Sequence, residues 1–293
     1  MSFLYAGNKN DKLYIMSDSK VTFSENEEDM LKKNITDKNF TILKKFGIVK
    51  NVIINKNICI GSAGILEHFN ELLKYIDDNS VTNIELIKNK AFNIHKMNNE
   101  DTDFIVAFTN NSTNKLYVIK EGKILETNSC WIGSKETFNV FQECRFAYKK
   151  DFKEIRYLNE DLKEIYIDLS AFEKALKLTK DASVGGLFIR CISENGIFSY
   201  SESLTTSIEK TQVVNPGEQI ITATDSTNGG YTCQIYNSSD VLSLYMNQLK
   251  KGIRYCCCID NSNYNHLRFP KLYDMEEKEF LEKFNIVPSI VIS

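Results

Sequence analysis

The residues best suited to carry out chemistry lie at the start of the chain, which reads Met-Ser-Phe-Leu-Tyr-Ala-Gly. Removal of Met1 would leave Ser2 with both a hydroxyl and a free α-amine. A hydroxyl nucleophile beside its own amine base, with a carboxylate nearby, is a complete set of groups for acyl transfer. A serine at position 2 also fits simple removal of the initiator methionine, so both interpretations stay open.

A predicted β-hairpin supplies the carboxylate. Two apolar runs flank the polar segment Asn8–Lys12, which is the pattern of two strands joined by a turn. Folding this hairpin about Asn10 pairs residues 3–7 with residues 13–22. The same folding places Ser2 opposite Asp18.

The remaining elements fall into blocks of strands and blocks of helices. Strands are expected over 38–46, 48–62, 104–132, 184–200, 219–223, 231–236 and 255–259, and helices over 65–76, 81–97, 135–149, 171–181 and 239–251. A charged stretch runs from 151 to 168. Segregated blocks with hairpin connections predict an α+β fold with antiparallel sheets, and two helical layers covering stacked sheets would account for the order.

Composition excludes several classes of protein. The 293 residues are 42% apolar and 26% charged, and the net charge of -3 argues against a dedicated nucleic-acid binder. We expect no membrane span, because no run of about 18 apolar residues occurs, and no signal peptide. A cytoplasmic location with reduced thiols is therefore expected for the eight cysteines. The three histidines lack ligand spacing, so neither a metal site nor a catalytic histidine is expected.

Five segments, in order along the chain, resemble the proteasome β-subunit family. They are Leu-Tyr-Ile-Met-Ser-Asp-Ser-Lys-Val-Thr (13–22), Lys-Asn-Phe-Thr-Ile (38–42), Ile-Gly-Ser-Ala-Gly (60–64), Trp-Ile-Gly-Ser (131–134) and Lys-Asp-Ala-Ser-Val-Gly-Gly (180–186). The interval from Ser2 to Asp18 equals that family's interval from its N-terminal threonine to its aspartate. The resemblance covers about residues 2–203.

The resemblance implies an N-terminal nucleophile (Ntn) hydrolase fold, which is a four-layer αββα sandwich of two antiparallel sheets between helical layers. Residues 1–204 would form this domain. Residues 205–293 would be a C-terminal extension of unknown role, either a separate domain or a segment packed on the same domain.

The resemblance also assigns roles around the nucleophile. Ser2 would replace the usual threonine as an N-terminal nucleophile, with its own amine as the base. Lys38 would match the family lysine, whose charge favours the neutral amine and the developing alkoxide. Asp18 would hold that lysine. Lys32 and Lys33 are rivals for the same role, and we prefer Lys38 because an apolar strand follows it directly.

Three further residues complete the implied site. Gly64 would supply a backbone N–H to the oxyanion, although a turn alone would also explain this glycine. Ser134 and Asp181 would surround the amine. Val184 takes the place of the family serine, which removes a hydroxyl from the proton network.

The implied activity is a cofactor-free peptidase acting on peptide or protein substrates. Family members form rings, so a homo-oligomer is expected, while an ATPase partner stays unknown; no nucleic acid and no membrane are expected as partners. Two alternatives stay open: a catalytically inactive structural or regulatory subunit, favoured by Val184, and an acyl-transferring ligase or small-molecule amidase on the same scaffold. The sequence does not separate them, because substrate choice depends on the shape of the pocket.

Overall fold

The computed structural model describes residues 2–22, 47–151, 160–201, 203–207, 231–236, 241–246, 250–256 and 270–287. This part of the chain contains three five-stranded sheets and five helices. Every strand pairing in the three sheets is antiparallel. The α+β class with antiparallel sheets, predicted from the sequence, is therefore confirmed.

The first sheet carries the start of the chain at its centre. Its strands, in sequence order, are β1 (Phe3–Lys9), β2 (Lys12–Ser17), β8 (Ser129–Gly133), β9 (Ile189–Glu194) and β10 (Ile197–Tyr200). They lie side by side in the order β10-β9-β2-β1-β8.

The second sheet follows the order of the sequence. It consists of β3 (Asn51–Asn55), β4 (Ile58–Gly64), β5 (Thr102–Thr109), β6 (Asn114–Lys120) and β7 (Lys123–Glu126). Helices α1 (Leu66–Asp78) and α2 (Ile84–Met97) lie between β4 and β5 in sequence, and α2 packs on β5 and β6.

Two further helices cover the first sheet, and they are α3 (Lys135–Asp151) and α4 (Glu160–Leu178). The bounds of the short helix expected over 171–181 were wrong, because α4 begins at Glu160, within the charged stretch, and ends at Leu178. Residues 152–159 lie outside the described part of the chain.

Alternate residues of β1 and β2 face two different cores, because successive side chains of a strand point to opposite faces. Leu4 and Ile15 join a large core that includes the second sheet, α1 and α2. Phe3 and Tyr14 join a smaller core built with α3 and α4. The two sheets contact each other directly through β1 and β4. The layers thus run from a helix pair through two sheets to a second helix pair, which is compatible with a sandwich.

The β1–β2 hairpin has a register one residue away from the predicted one. Asn10 and Asp11 both have positive φ angles, 49° and 60°, as the two central residues of a type I′ turn do. A two-residue turn pairs Lys9 with Lys12 and Leu4 with Ser17. Phe3 therefore lies opposite Asp18, and the backbone N–H of Asp18 donates to the Phe3 carbonyl at 3.2 Å. The predicted pairing of Ser2 with Asp18 was wrong by one residue.

The sequence predicted the strand over 231–236 but not the third sheet to which it belongs. Its strands are β11 (Ser203–Ser207), β12 (Tyr231–Tyr236), β13 (Val241–Met246), β14 (Lys251–Cys256) and β15 (Pro270–Asp274), in that order. The helix expected over 239–251 was wrong, because β13 lies within that range and β14 begins at its last residue, Lys251. The predicted domain boundary between residues 204 and 205 falls inside β11.

Both faces of the third sheet are covered. Leu242, Leu244 and Met246 belong to the same large core as the first two sheets. On the opposite face, helix α5 (Glu277–Lys283) places Phe280 on β14, where a Cβ added to Gly252 would lie 2.0 Å from the Phe280 ring. The C-terminal residues therefore share a core with the N-terminal ones.

No helix in the described ranges is long and apolar enough to cross a membrane.

Candidate active site

Ser2 is buried, and the end of strand β8 fixes its backbone. Its carbonyl accepts a hydrogen bond from the Ser134 N–H at 2.7 Å. Gly133 has a φ of +87°, and a Cβ at this position would lie 1.9 Å from the Ser2 carbonyl oxygen. Only glycine fits such an approach. Strand β4 also reaches this point, because the same added Cβ would lie 3.1 Å from the Ala63 Cβ.

Asp18 is completely buried directly after β2, and it binds three chain segments. Its Oδ1 accepts from the Phe3 N–H at 2.9 Å, which fixes the peptide that follows Ser2. Its Oδ2 accepts from the backbone N–H groups of Lys20 and Gly185, both at 3.2 Å. The Nζ of Lys50 lies 2.9 Å from each oxygen.

Two opposing effects act on the Asp18 carboxyl. Burial raises the pKa of Asp18, while the Lys50 ammonium and the hydrogen bonds from Phe3 and Gly185 lower it. All of the groups bonded to this carboxyl are donors, and a carboxylate is an acceptor only, so the arrangement is built for the ionised form.

Lys50 is the cation at Asp18, although the sequence analysis favoured Lys38. Lys38 lies outside the described residues, so its role stays a prediction. A signal for Lys50 was present, because Lys-Asn followed by an apolar run occurs both at 38–40 and at 50–52. The side chain of Lys50 is buried, and its carbonyl accepts from the Ser62 N–H of β4 at 3.0 Å.

Ser134 and Asp181 lie in direct contact, while their role around the amine stays a prediction. The Ser134 hydroxyl donates to Asp181 Oδ2 at 2.6 Å, while its N–H holds Ser2. Asp181 Oδ1 accepts from the Ser183 N–H at 2.9 Å and from the Ser183 hydroxyl. Burial raises the pKa of Asp181, but the hydrogen bonds from Ser134 and Ser183 and the charge of the chain's amino terminus outweigh it, so the pKa is lowered.

Sequence reasoning missed Ser183. Val184, which stands in place of the family serine, is buried in the core between the first sheet and α3 and α4. The hydroxyl that contacts Asp181 comes instead from the preceding residue. The following segment reaches the other carboxylate, since Gly185 donates to Asp18 and accepts from Ser19 and Lys20.

Gly64 ends strand β4 with a φ of +136°, just before α1. A Cβ here would lie 2.3 Å from the Asp101 carbonyl oxygen, so close packing against the neighbouring strand is sufficient to explain the glycine. The next N–H, of Ile65, donates to Thr102 Oγ1 at 2.9 Å. The oxyanion role of Gly64 stays a prediction.

Of the six expected site residues, four form one connected set: Ser2, Asp18, Ser134 and Asp181. No protein-family model matches the chain, and a search of curated proteins found no match. Any assignment of function therefore depends on these contacts and on the resemblance of the motifs that form them.

Other side chains that could take part in chemistry have structural roles. His95 is buried, and its Nδ1 donates to the Thr102 carbonyl while its Nε2 accepts from the Gly122 N–H, which fixes a neutral tautomer. Burial raises the pKa of the Cys130 thiol to about 12, so its reactive thiolate is scarce near neutral pH. Within the part of the chain that the structure describes, no three His, Cys, Asp or Glu side chains are grouped to hold a metal ion.

Proposed function

We propose that this protein is an N-terminal nucleophile hydrolase of the proteasome type, which cleaves amide bonds through an acyl-enzyme on Ser2. One observation carries the proposal. A single oxygen, Asp18 Oδ1, accepts from both the peptide N–H that follows Ser2 and the buried ammonium of Lys50. An acid and a cation are thus held next to the residue that becomes the amino terminus when Met1 is removed.

In the proposed reaction the neutral α-amine of Ser2 takes the hydroxyl proton as the oxygen attacks the substrate carbonyl. The same amine then gives this proton to the leaving nitrogen, and an ester with Ser2 remains. Water, deprotonated by the amine, hydrolyses the ester and restores the hydroxyl. The ordinary pKa of an α-amine is about 7.7–8.0, so a useful fraction is neutral near pH 7.

The neighbouring charges suit these steps. The Lys50 ammonium favours the neutral amine and the developing alkoxide through its charge. Asp18 keeps this ammonium in place and ionised. On the other side, the Ser134 N–H holds the Ser2 carbonyl and Asp181 accepts from the Ser134 hydroxyl. In the proposed reaction these two residues hold the amine after it has accepted a proton. A peptide or protein substrate, a ring of like chains and a cytoplasmic location belong to the proposal through the resemblance alone.

A second candidate function is that of a scaffold without catalysis. Val184 favours it, because a buried valine occupies the position where the family serine would contribute a hydroxyl. Ser183 offers a hydroxyl to Asp181 from the adjacent position, so we rank the hydrolase first.

The test combines intact mass with labelling by a hydroxyl-reactive electrophile such as a β-lactone. We expect mature protein without Met1, one label on Ser2 and no label in Ser2→Ala. Ser112→Ala, an exposed serine in the β5–β6 turn, is the control and should label like the natural protein.

Three results would count against the hydrolase. Retention of Met1 or acetylation of the amine removes the base. Labelling that persists in Ser2→Ala places the nucleophile elsewhere. A mature Ser2 that never reacts supports the scaffold.

A further inference from the structure

Two neighbouring pairs of side chains connect the first sheet to the second beside Ser2. Asp18 binds Lys50, and the preceding residue, Ser17, donates its hydroxyl to Asn51 Oδ1 at 2.9 Å. Consecutive residues at the end of β2 thus bind consecutive residues at the start of β3. Ser17, Asp18 and Asn51 have no exposed surface.

Asn51 is anchored by more than this one contact. Its Nδ2 donates to the Ile15 carbonyl at 3.2 Å and lies 3.5 Å from the Ile189 carbonyl, so it bridges β2 and β9. Its own carbonyl accepts from the Tyr200 hydroxyl at 3.0 Å. The carboxamide therefore ties the first residue of β3 to β2 and β9, and the backbone carbonyl of the same residue ties it to β10.

We propose that Asn51 is a positioning residue for Lys50, and that it fixes the start of β3 so that the Lys50 ammonium lies on Asp18 beside Ser2. The inference rests on the proposed function, since it assigns Asn51 a part in the reactivity of Ser2.

The physical reason lies in the two neighbouring side chains. A lysine side chain is a flexible four-carbon chain with a strongly hydrated head, so holding it in a dry site needs a fixed backbone. A buried ion pair overcomes its desolvation penalty only when its geometry is good. A fully satisfied polar network such as that of Asn51 specifies one arrangement, which an apolar contact of similar size would not do.

The chain offers a matched control in Asn57, between β3 and β4. Its Nδ2 donates to the Thr109 carbonyl at 2.9 Å and to the Gly196 carbonyl at 2.8 Å. Asn57 thus also joins the second sheet to the first, but it does so at the other end of β3. Asn51→Ala and Asn57→Ala both remove a carboxamide bridge, and only the first removes it next to Lys50.

The experiment measures the rate at which the β-lactone acylates Ser2 as a function of pH, with denaturant unfolding of each variant for reference. In Asn51→Ala we expect the rate near pH 7 to fall about tenfold or more, since general-base catalysis depends on placement. The midpoint of the rate–pH curve should move upward, because the amine loses a nearby ammonium. Asn57→Ala should keep the natural midpoint.

A second measurement does not depend on activity. Acetic anhydride modifies accessible lysine amines, and mass spectrometry locates the acetyl groups. We expect Lys50 to resist acetylation in the natural protein and in Asn57→Ala, and to react about tenfold faster in Asn51→Ala, as expected when an ion pair opens to solvent.

The outcomes separate the two proposals. If Ser2 never reacts but Lys50 becomes accessible only in Asn51→Ala, the hydrolase fails and the positioning role stands. If Ser2 reacts and both asparagine variants give the same rate, midpoint and acetylation, the positioning role is overturned and the hydrolase stands.

Discussion

Two fully buried aspartates lie near opposite ends of the β1–β2 hairpin, and they use different kinds of partner. Asp18, next to Ser2, accepts from three backbone N–H groups and one ammonium. Asp168, on α4, accepts from the side chains of Lys9 at 2.9 Å, Tyr14 at 2.6 Å and Arg145. Asp18 therefore fixes the backbone at three positions, whereas Asp168 connects helix α4 to the first sheet.

The cations that bind the two aspartates also differ in their exposure to solvent. The Lys50 side chain is 5% exposed, whereas Lys9 and Arg145 are 19% and 21% exposed and also lie near Glu164. The cations of Asp168 can regain water and a second carboxylate when one contact is lost. Lys50 is enclosed, so losing its contact with the carboxylate would leave its ammonium charge buried away from water. We therefore expect a buried carboxylate to contribute more to stability when its cation is buried and its other donors are backbone N–H groups.

The largest expected effect comes from comparing Asp18→Asn with Asp168→Asn. Removing one partner of a buried ion pair costs about 3–5 kcal/mol, so we expect that loss of unfolding free energy for Asp18→Asn, together with loss of Ser2 labelling. Asp168→Asn should cost about 1–3 kcal/mol and leave labelling intact. Denaturant unfolding and β-lactone labelling measure both. Equal losses in the two variants would contradict the distinction between their partners.

A smaller effect, one that depends on pH, is expected for Lys50→Met. Burial already raises the pKa of Asp18, and removing the ammonium raises it further. Stability from a group with a raised folded-state pKa is present at low pH and is lost as pH rises through that pKa. The variant should therefore be closer to the natural protein in stability at about pH 5 than at about pH 8.

Lys9→Met is the control for this pH dependence, because Asp168 keeps Arg145 and Tyr14 as partners. Its difference from the natural protein should stay nearly constant over the same pH range. A deficit of Lys50→Met that grows in acid would show that Asp18 does not take up a proton there.

The smallest expected effect concerns Asp103 on β5, a carboxylate without such partners. Its side chain is 18% exposed, and no hydrogen bond to it is found among the described residues. Burial raises the pKa of Asp103 from 3.8 to about 6, although the charge of Lys120 opposes the shift. Its contribution to stability is therefore complete at low pH and disappears as pH rises through about 6.

Asp103→Asn should accordingly raise the unfolding free energy by about 1–2 kcal/mol at pH 7 and give no gain near pH 4. Asp101→Asn, at an exposed neighbouring position, should be neutral at both values and serves as the control. A gain that is the same at both pH values would mean that burial of the charge is not its cause.

The sequence identified the segments that carry Ser2, Asp18, Ser134 and Asp181, which meet in the candidate site, but not the register of the hairpin. The motifs at 131–134 and 180–186 were sufficient to select Ser134 and Asp181, because each residue follows the end of a strand or helix. The hairpin was misaligned by one residue, because the polar run from Asn8 to Lys12 permits several turns. The observed turn depends on positive φ at two positions.

The lysine shows a different limit. Lys38 and Lys50 are both followed by Asn and an apolar run, so local pattern does not distinguish them. The choice depends on which segment lies beside β2 in the folded protein, and that is a long-range contact. The range 239–251 had a similar ambiguity, since Leu242, Leu244 and Met246 fit a two-residue period while other apolar residues fit a helical one.

The way the chain begins has a practical consequence for recombinant work. The backbone at Ser2 is held by hydrogen bonds from the Ser134 N–H on one side and to Asp18 on the other. The close approach of Gly133 leaves no room for this backbone to shift. In the proposed mechanism the Ser2 nitrogen must be a free amine, and an affinity tag fused upstream would keep it as an amide and crowd these contacts. Any assay of the proposed chemistry should therefore carry its tag at the carboxyl end, or use a leader whose cleavage regenerates a serine at the front.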